Sequence, residues 1–211
     1  MTAQIATPLP RDYHEKQKIQ LNRRELDRQE KMHIRSIWGS IQTAQEYAPG
    51  IVNVTTASHG GIVLDQMAND KVHAAWRNQQ GMYEEDICWA IVAMTYPSLF
   101  TDYEKECAES TLRRWMPVEY TKVTGNPVSP EESHVLRENA LREKHKADWI
   151  VISDVLKGDK VHAIATKGGK WPSKDRREYL IEPKRYAARS EIGHVIDEAI
   201  DERVMQPANE R

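Results

Sequence analysis

Gly50-Ile-Val-Asn-Val-Thr-Thr-Ala-Ser-His-Gly-Gly-Ile-Val-Leu-Asp65 reads as a β-hairpin. Two β-branched runs, 51–56 and 62–64, flank the turn Ser58-His59-Gly60-Gly61. Side-chain alternation around a glycine turn is the sequence form of two antiparallel strands. Glycine reaches backbone conformations closed to other residues, so the Gly60-Gly61 pair permits either a sharp turn or a close approach to a ligand. His59 stands at the tip of that turn.

Downstream, Tyr83-Glu84-Glu85-Asp86 opens a run in which Ile87, Ile91 and Met94 recur at helical spacing, which predicts a helix over 83–96. Acids in its first turn suit the helix dipole. Thr101 and Glu104 form a Thr-x-x-Glu capping box, which starts a second helix that Pro117 ends. Ser129-Pro130-Glu131-Glu132 starts a third, highly charged helix. From Trp149 the period changes to two. Strands are expected over 149–156 and 161–166, joined by Lys157-Gly158-Asp159-Lys160, with another over 178–181 ended by Pro183. Residues 42–47 are read as a helical turn and 195–204 as a terminal helix. The segment 11–35 carries eight Lys and Arg against five Asp and Glu, without Gly or Pro, and its apolar stripe is thin. It is read as a charged helix, either a solvated face or a partner-binding arm.

These elements predict an α+β fold: a small antiparallel sheet of hairpins, with helices packed on one face and a charged N-terminal helix. The expected organisation is an arm over 1–35, a single domain over 36–205 and a disordered tail over 206–211. The 211 residues suffice for a real core. A net charge of −2 excludes a globally basic nucleic-acid binder and leaves room for local basic patches. Cys88 and Cys107 lie in no ligand spacing and are read as reduced thiols. No apolar run approaches the ~18 residues of a membrane span, and no apolar leader is visible, so a soluble cytoplasmic protein without a membrane partner is expected.

The chemistry-bearing candidates follow from this layout. His59 titrates near neutral pH, and a carboxylate from Glu84, Glu85 or Asp86 would orient its ring and raise its basicity. That makes the four a candidate catalytic set, with Ser58, Gly60 and Gly61 as ligand contacts. The bland reading is a locally bonded histidine and acids that cap a helix. A metal site needs at least three ligands, and neither a metal nor a cofactor is expected. Arg23, Arg24, Arg28 and Lys31 are the partner-binding candidates on the arm. Lys167, Lys170, Lys174, Arg176 and Arg177 surround the Gly168-Gly169 turn, whose N–H groups are candidates for holding a phosphate. The alternative is a solvated hairpin tip. Trp171 has enough cationic neighbours to be considered as a stacking platform for nucleic acid.

The motifs Ile37-Trp-Gly39, Ala48-Pro-Gly-Ile51, Ser58-His-Gly-Gly-Ile62, Tyr83-Glu-Glu-Asp86-x-x-Trp89, Tyr179-Leu-Ile-x-Pro183 and Tyr186-x-Ala-Arg189 resemble an uncharacterised domain family of phage and plasmid-borne proteobacterial proteins. The resemblance covers roughly 36–197 and leaves the arm outside. It implies a genomic setting and no chemistry. Mobile-element proteins of this size often counter host defence, so the expectation is an accessory protein that binds a host protein, with nucleic acid a weaker partner. An enzyme or small-ligand site at the His59 turn is the alternative.

Overall fold

The computed structural model describes residues 18, 19 and 22–204. The chain divides into two compact units, one up to Ser133 and one from His134. The readings for 1–17, 20–21 and the tail 206–211 lie outside the described residues. The fold class is α+β, built on two antiparallel sheets rather than the one expected.

The first sheet has the order β1 (Arg24–Glu25), β2 (Thr43–Ala48), β3 (Ile51–Thr55), β4 (Gly60–Leu64) and β5 (Met82–Glu84). The expected hairpin is β3 and β4, with Ile51 opposite Leu64 and Asn53 opposite Ile62. Residues 42–47, read as helical, are strand β2 instead. Pro49-Gly50 is a two-residue turn that pairs Ala48 with Ile51, with Gly50 at φ +79°. The cross-strand partner outweighs a weak local helical preference.

Alternation sorts this sheet into two faces. Ile51, Ile62, Leu64 and Tyr83 share a core with the Trp89–Thr95, Asp102–Trp115 and Pro117–Thr124 helices. The Thr101–Glu104 capping box forms as read. Ala44, Val54 and Gly61 are aligned across the opposite face, where the Trp38 ring covers Gly61.

Two helices were misplaced. Tyr83 and Glu84 belong to β5, because the fully buried Tyr83 pairs with Ile62 and donates its hydroxyl to Asn69 Oδ1 (2.6 Å). The helical spacing is realised only from Trp89 onward. The described part of the N-terminal segment is not one helix. Arg24 and Glu25 pair with Glu46 and Gln45, and Asp27 then caps a new four-residue helix, Arg28–Lys31, in a capping box with Glu30. A residue that caps a helix N-terminus interrupts any helix running into it.

The second unit is a sheet of order β6 (Trp149–Lys157), β7 (Lys160–Lys167), β8 (Arg177–Ile181) and β9 (Glu202–Val204). Trp149, Val151, Val161, Ala163, Ala165, Tyr179 and Ile181 form its core. The charged helix starts at His134, and none of its residues is fully buried. The expected terminal helix over 195–204 is absent. Gly193 (φ +105°) turns the chain, Val195 bridges to Ile150 at the edge of β6, and 202–204 form strand β9. Sheet-edge pairing supplies hydrogen bonds that an isolated short helix would have to make alone.

Candidate functional site

The turn spans 56–59, not 58–61: Gly60 and Gly61 are already paired in β4, and they meet the acids as a packing junction. Thr56 holds the turn: its N–H and Oγ1 both donate to His59 O (2.8 and 2.7 Å). Among the described residues, no carboxylate bonds the exposed His59 ring. Glu84 is used locally, accepting the Asp86 N–H at 2.8 Å and the Ile87 N–H at 3.4 Å. Glu85 and Asp86 are exposed.

The two glycines are filled by the protein itself. A Cβ on Gly60 would stand 2.7 Å from both Glu85 Oε2 and Val54 O. One on Gly61 would collide with Tyr83 O and lie 2.7 Å from Trp38 Cη2. Close approach is needed here, but by a neighbouring strand and an indole. Beside the acids, burial first and then the Glu84 charge push the Cys88 thiol up, away from reactivity. Among the described residues, no group of three or more His, Cys, Asp or Glu side chains is placed to hold a metal ion.

The arm candidates separate into different roles. Arg23 is a core-edge residue, its side chain only 9% exposed. Its guanidinium lies 3.9 Å from the Tyr47 ring centroid, and Nη2 donates to Leu99 O (3.0 Å) and reaches Glu104 (3.4 Å). It is taken up inside the unit rather than offered to a partner. Arg24 pairs with Glu30 (2.7 Å) and Glu46 (2.8 Å) along the sheet edge. The Asp27 N–H first, and then Arg24, hold the Glu30 carboxyl below its ordinary range.

Arg28 and Lys31 line an open groove of about 810 Å3 with Met32, Ile34 and Ile41. Lys31 Nζ donates to Gln42 O (3.1 Å), whereas Arg28 and the nearby Arg35 have no carboxylate partner among the described residues. Met32 is 78% and Ile37 61% exposed. Trp38, whose ring packs on Gly61 and whose carbonyl lies 3.2 Å from Thr56 Oγ1, anchors this segment to the sheet. Ile34 falls in the sparse apolar stripe expected of one long helix, which hides its place in the groove. The signal was Asp27-Arg-Gln-Glu30, a capping box that starts a new element.

A family model described as a domain of unknown function (DUF7007) matches residues 31–146, more than half of the chain. The chain belongs to that family. The DUF7007 match takes in most of the groove segment and the hairpin, and stops before β6, short of the 36–197 drawn from the motifs. No curated protein and no solved structure matches the chain.

Beyond the DUF7007 match, the basic set of the second unit is arranged around two indoles. Arg177 lies 4.1 Å and Lys167 Nζ 5.8 Å from the buried Trp149 ring, and Arg177 also pairs with Glu198 (2.6 Å). Arg176 lies 4.5 Å from the ring of Trp171, which is 66% exposed. Lys170 and Lys174 are exposed. The Gly168-Gly169 turn does not form a phosphate cradle. Its N–H groups donate to Asp148 O (2.8 Å) and Thr166 O (3.2 Å), so they are spent within the fold.

Among the described residues, no helix is long and apolar enough to cross a membrane.

Proposed function

We propose that this chain is an accessory protein of a phage or mobile element that acts by binding a host protein, a defence component in the setting the resemblance implies. The groove lined by Arg28, Lys31, Met32, Ile34 and Ile41 is the observation that carries the binding mode. Large apolar side chains left exposed together beside a polar rim are the usual mark of an interaction surface. Arg28 and Lys31 leave that rim positive, so the partner segment is apolar and flanked by carboxylates.

The test is affinity purification of the tagged protein from host lysate after nuclease treatment, wild type beside Arg28→Glu/Met32→Asp. Both substituted side chains are exposed, so the unit stays folded. A stoichiometric protein recovered with the wild type and lost with the double variant supports the reading. Equal recovery with both removes the groove from it.

One observation favours a second reading, nucleic-acid binding by the second unit: the exposed Trp171 with Arg176 against its ring. An exposed indole among cations is a base-stacking platform. Salt-dependent binding of a labelled single-stranded oligonucleotide that Trp171→Ala abolishes supports this reading, and binding unaffected by Trp171→Ala rejects it.

A further inference from the structure

The segment from Pro183 to Asp201 builds a polar cluster that neither binding surface uses. The Pro183–Ala187 helix and the turn after it carry Arg185 and Arg189, four residues apart and thus on one side. Gly193 then reverses the chain and delivers His194, whose carbonyl accepts the Val151 N–H (2.9 Å). Asp201, only 3% exposed, collects these groups. It accepts from Arg185 Nε and Nη2 (both 3.2 Å), from His194 Nε2 (2.9 Å) and from the Asp197 N–H (2.9 Å). Burial works to raise the Asp201 carboxyl, but the Arg185 pair, the Asp197 N–H and His194 outweigh it and hold it below its ordinary range. The carboxylate is therefore a fixed negative charge that aligns a guanidinium and an imidazole side by side.

Both aligned groups keep one nitrogen uncommitted. Arg185 Nη1 and His194 Nδ1 have no hydrogen-bond partner among the described residues, and both residues line a pocket of about 400 Å3. Arg189 lies on the same pocket. It stacks 4.6 Å from the Tyr186 ring, donates to Tyr186 O (3.3 Å) and takes no carboxylate partner among the described residues. His145 lines it too, its Nδ1 held 2.8 Å from Asp148 Oδ2. Asp148 and Asp201, the acids bonded to these side chains, are each already engaged, which leaves the Arg185 and Arg189 guanidinium N–H groups as the charged donors lining the pocket. Leu141, Ala188 and Val195 complete an apolar wall.

A buried carboxylate–guanidinium–imidazole cluster is weak evidence for stability, because apolar replacements often serve as well. Its arrangement, with two arginines and an imidazole lining a pocket beside an apolar wall, is what an anion with an organic tail requires. We propose that this pocket binds a small phosphate monoester: Arg185, Arg189 and His194 hold the phosphate, and Leu141, Ala188 and Val195 receive the organic part.

The test is histidine-ring NMR on the full chain, titrated with sodium phosphate, with phenyl phosphate, and with sodium chloride at matched ionic strength. A saturable shift of the His194 and His145 resonances with the phosphates and not with chloride is expected. Phenyl phosphate binding about tenfold tighter than inorganic phosphate assigns the site to an organic monoester, and equal affinities overturn that assignment in favour of free phosphate. Arg189 is exposed, so Arg189→Ala leaves the fold intact and is expected to weaken binding about tenfold, while Lys170→Ala, outside the pocket, leaves it unchanged. No saturable shift beyond that of chloride, or Arg189→Ala binding as tightly as wild type, overturns the proposal. None of these readouts depends on a protein partner, so the proposal stands or falls apart from the groove reading.

Discussion

Arg23 and Arg24 are neighbours of the same type, and the structure gives them very different weights. Replacing Arg23 by Ala removes a guanidinium stacked 3.9 Å from the Tyr47 ring and leaves Leu99 O without its 3.0 Å donor. A desolvated cation–π contact is worth about 1–2 kcal/mol. A part-buried hydrogen bond from a charged donor contributes about 1.5–3 kcal/mol. Arg23 Nε is buried without a partner, and removing it returns part of that sum. The expected loss is about 3 kcal/mol, which lowers the thermal midpoint of a unit of this size by roughly 10 °C. Arg24→Ala removes two ion pairs made by a side chain that is 55% exposed and screened by solvent, so its loss is expected to be much the smaller. Urea unfolding followed by circular dichroism, with calorimetry for the midpoint, measures both variants under one condition. Equal losses in the two, or a loss below about 1 kcal/mol for Arg23→Ala, would refute the assignment of Arg23 to the core edge.

Gly61→Ala forces a Cβ onto the Tyr83 carbonyl and the Trp38 ring, and a backbone carbonyl in a paired strand cannot move aside. A loss of about 2–3 kcal/mol in urea unfolding is expected, against about 1 kcal/mol for Gly125→Ala, which meets nothing within 4 Å but has a φ of +76°. If Gly61 served only the approach of a ligand, its substitution would leave unfolding unchanged. Asp201 has a folded pKa below its unfolded value, so its contribution to stability is present above the ordinary carboxylate range of about 4 and is lost as pH falls through the folded value. Unfolding measured from pH 6 down to 2 should show the second unit weakening below about pH 4, with that part of the slope missing in Asp201→Asn.

The candidate site was only partly legible. The Gly60-Gly61 pair permits either a sharp turn or a close approach, and the structure uses it for an approach by the protein itself. Which group approaches was invisible, because Trp38 arrives from a separate segment and Tyr83 from another strand. The acids at 84–86 looked like a helix start because their carboxylates suit one. Glu84 does cap the N–H groups that follow, but from the end of a strand. The pattern over 195–204 predicts a helix, and nothing local in it signals that Asp201 meets Arg185 and His194.

Local chemistry alone determined the Thr101–Glu104 capping box, the β6–β7 hairpin around Gly158 and the existence of the β3–β4 hairpin, although Gly60 and Gly61 pair within β4 instead of forming its turn. Each is decided by contacts among residues close in sequence, where one turn or cap settles the geometry. Tertiary structure decided the rest. Residues 43–48 and 82–84 became strands because a sheet edge was present to pair with them, and 202–204 did so against β8. The division into two sheets was likewise beyond the sequence pattern. Alternation reports that a strand has a buried face, but the partner that buries it lies far along the chain, and only the folded packing selects it.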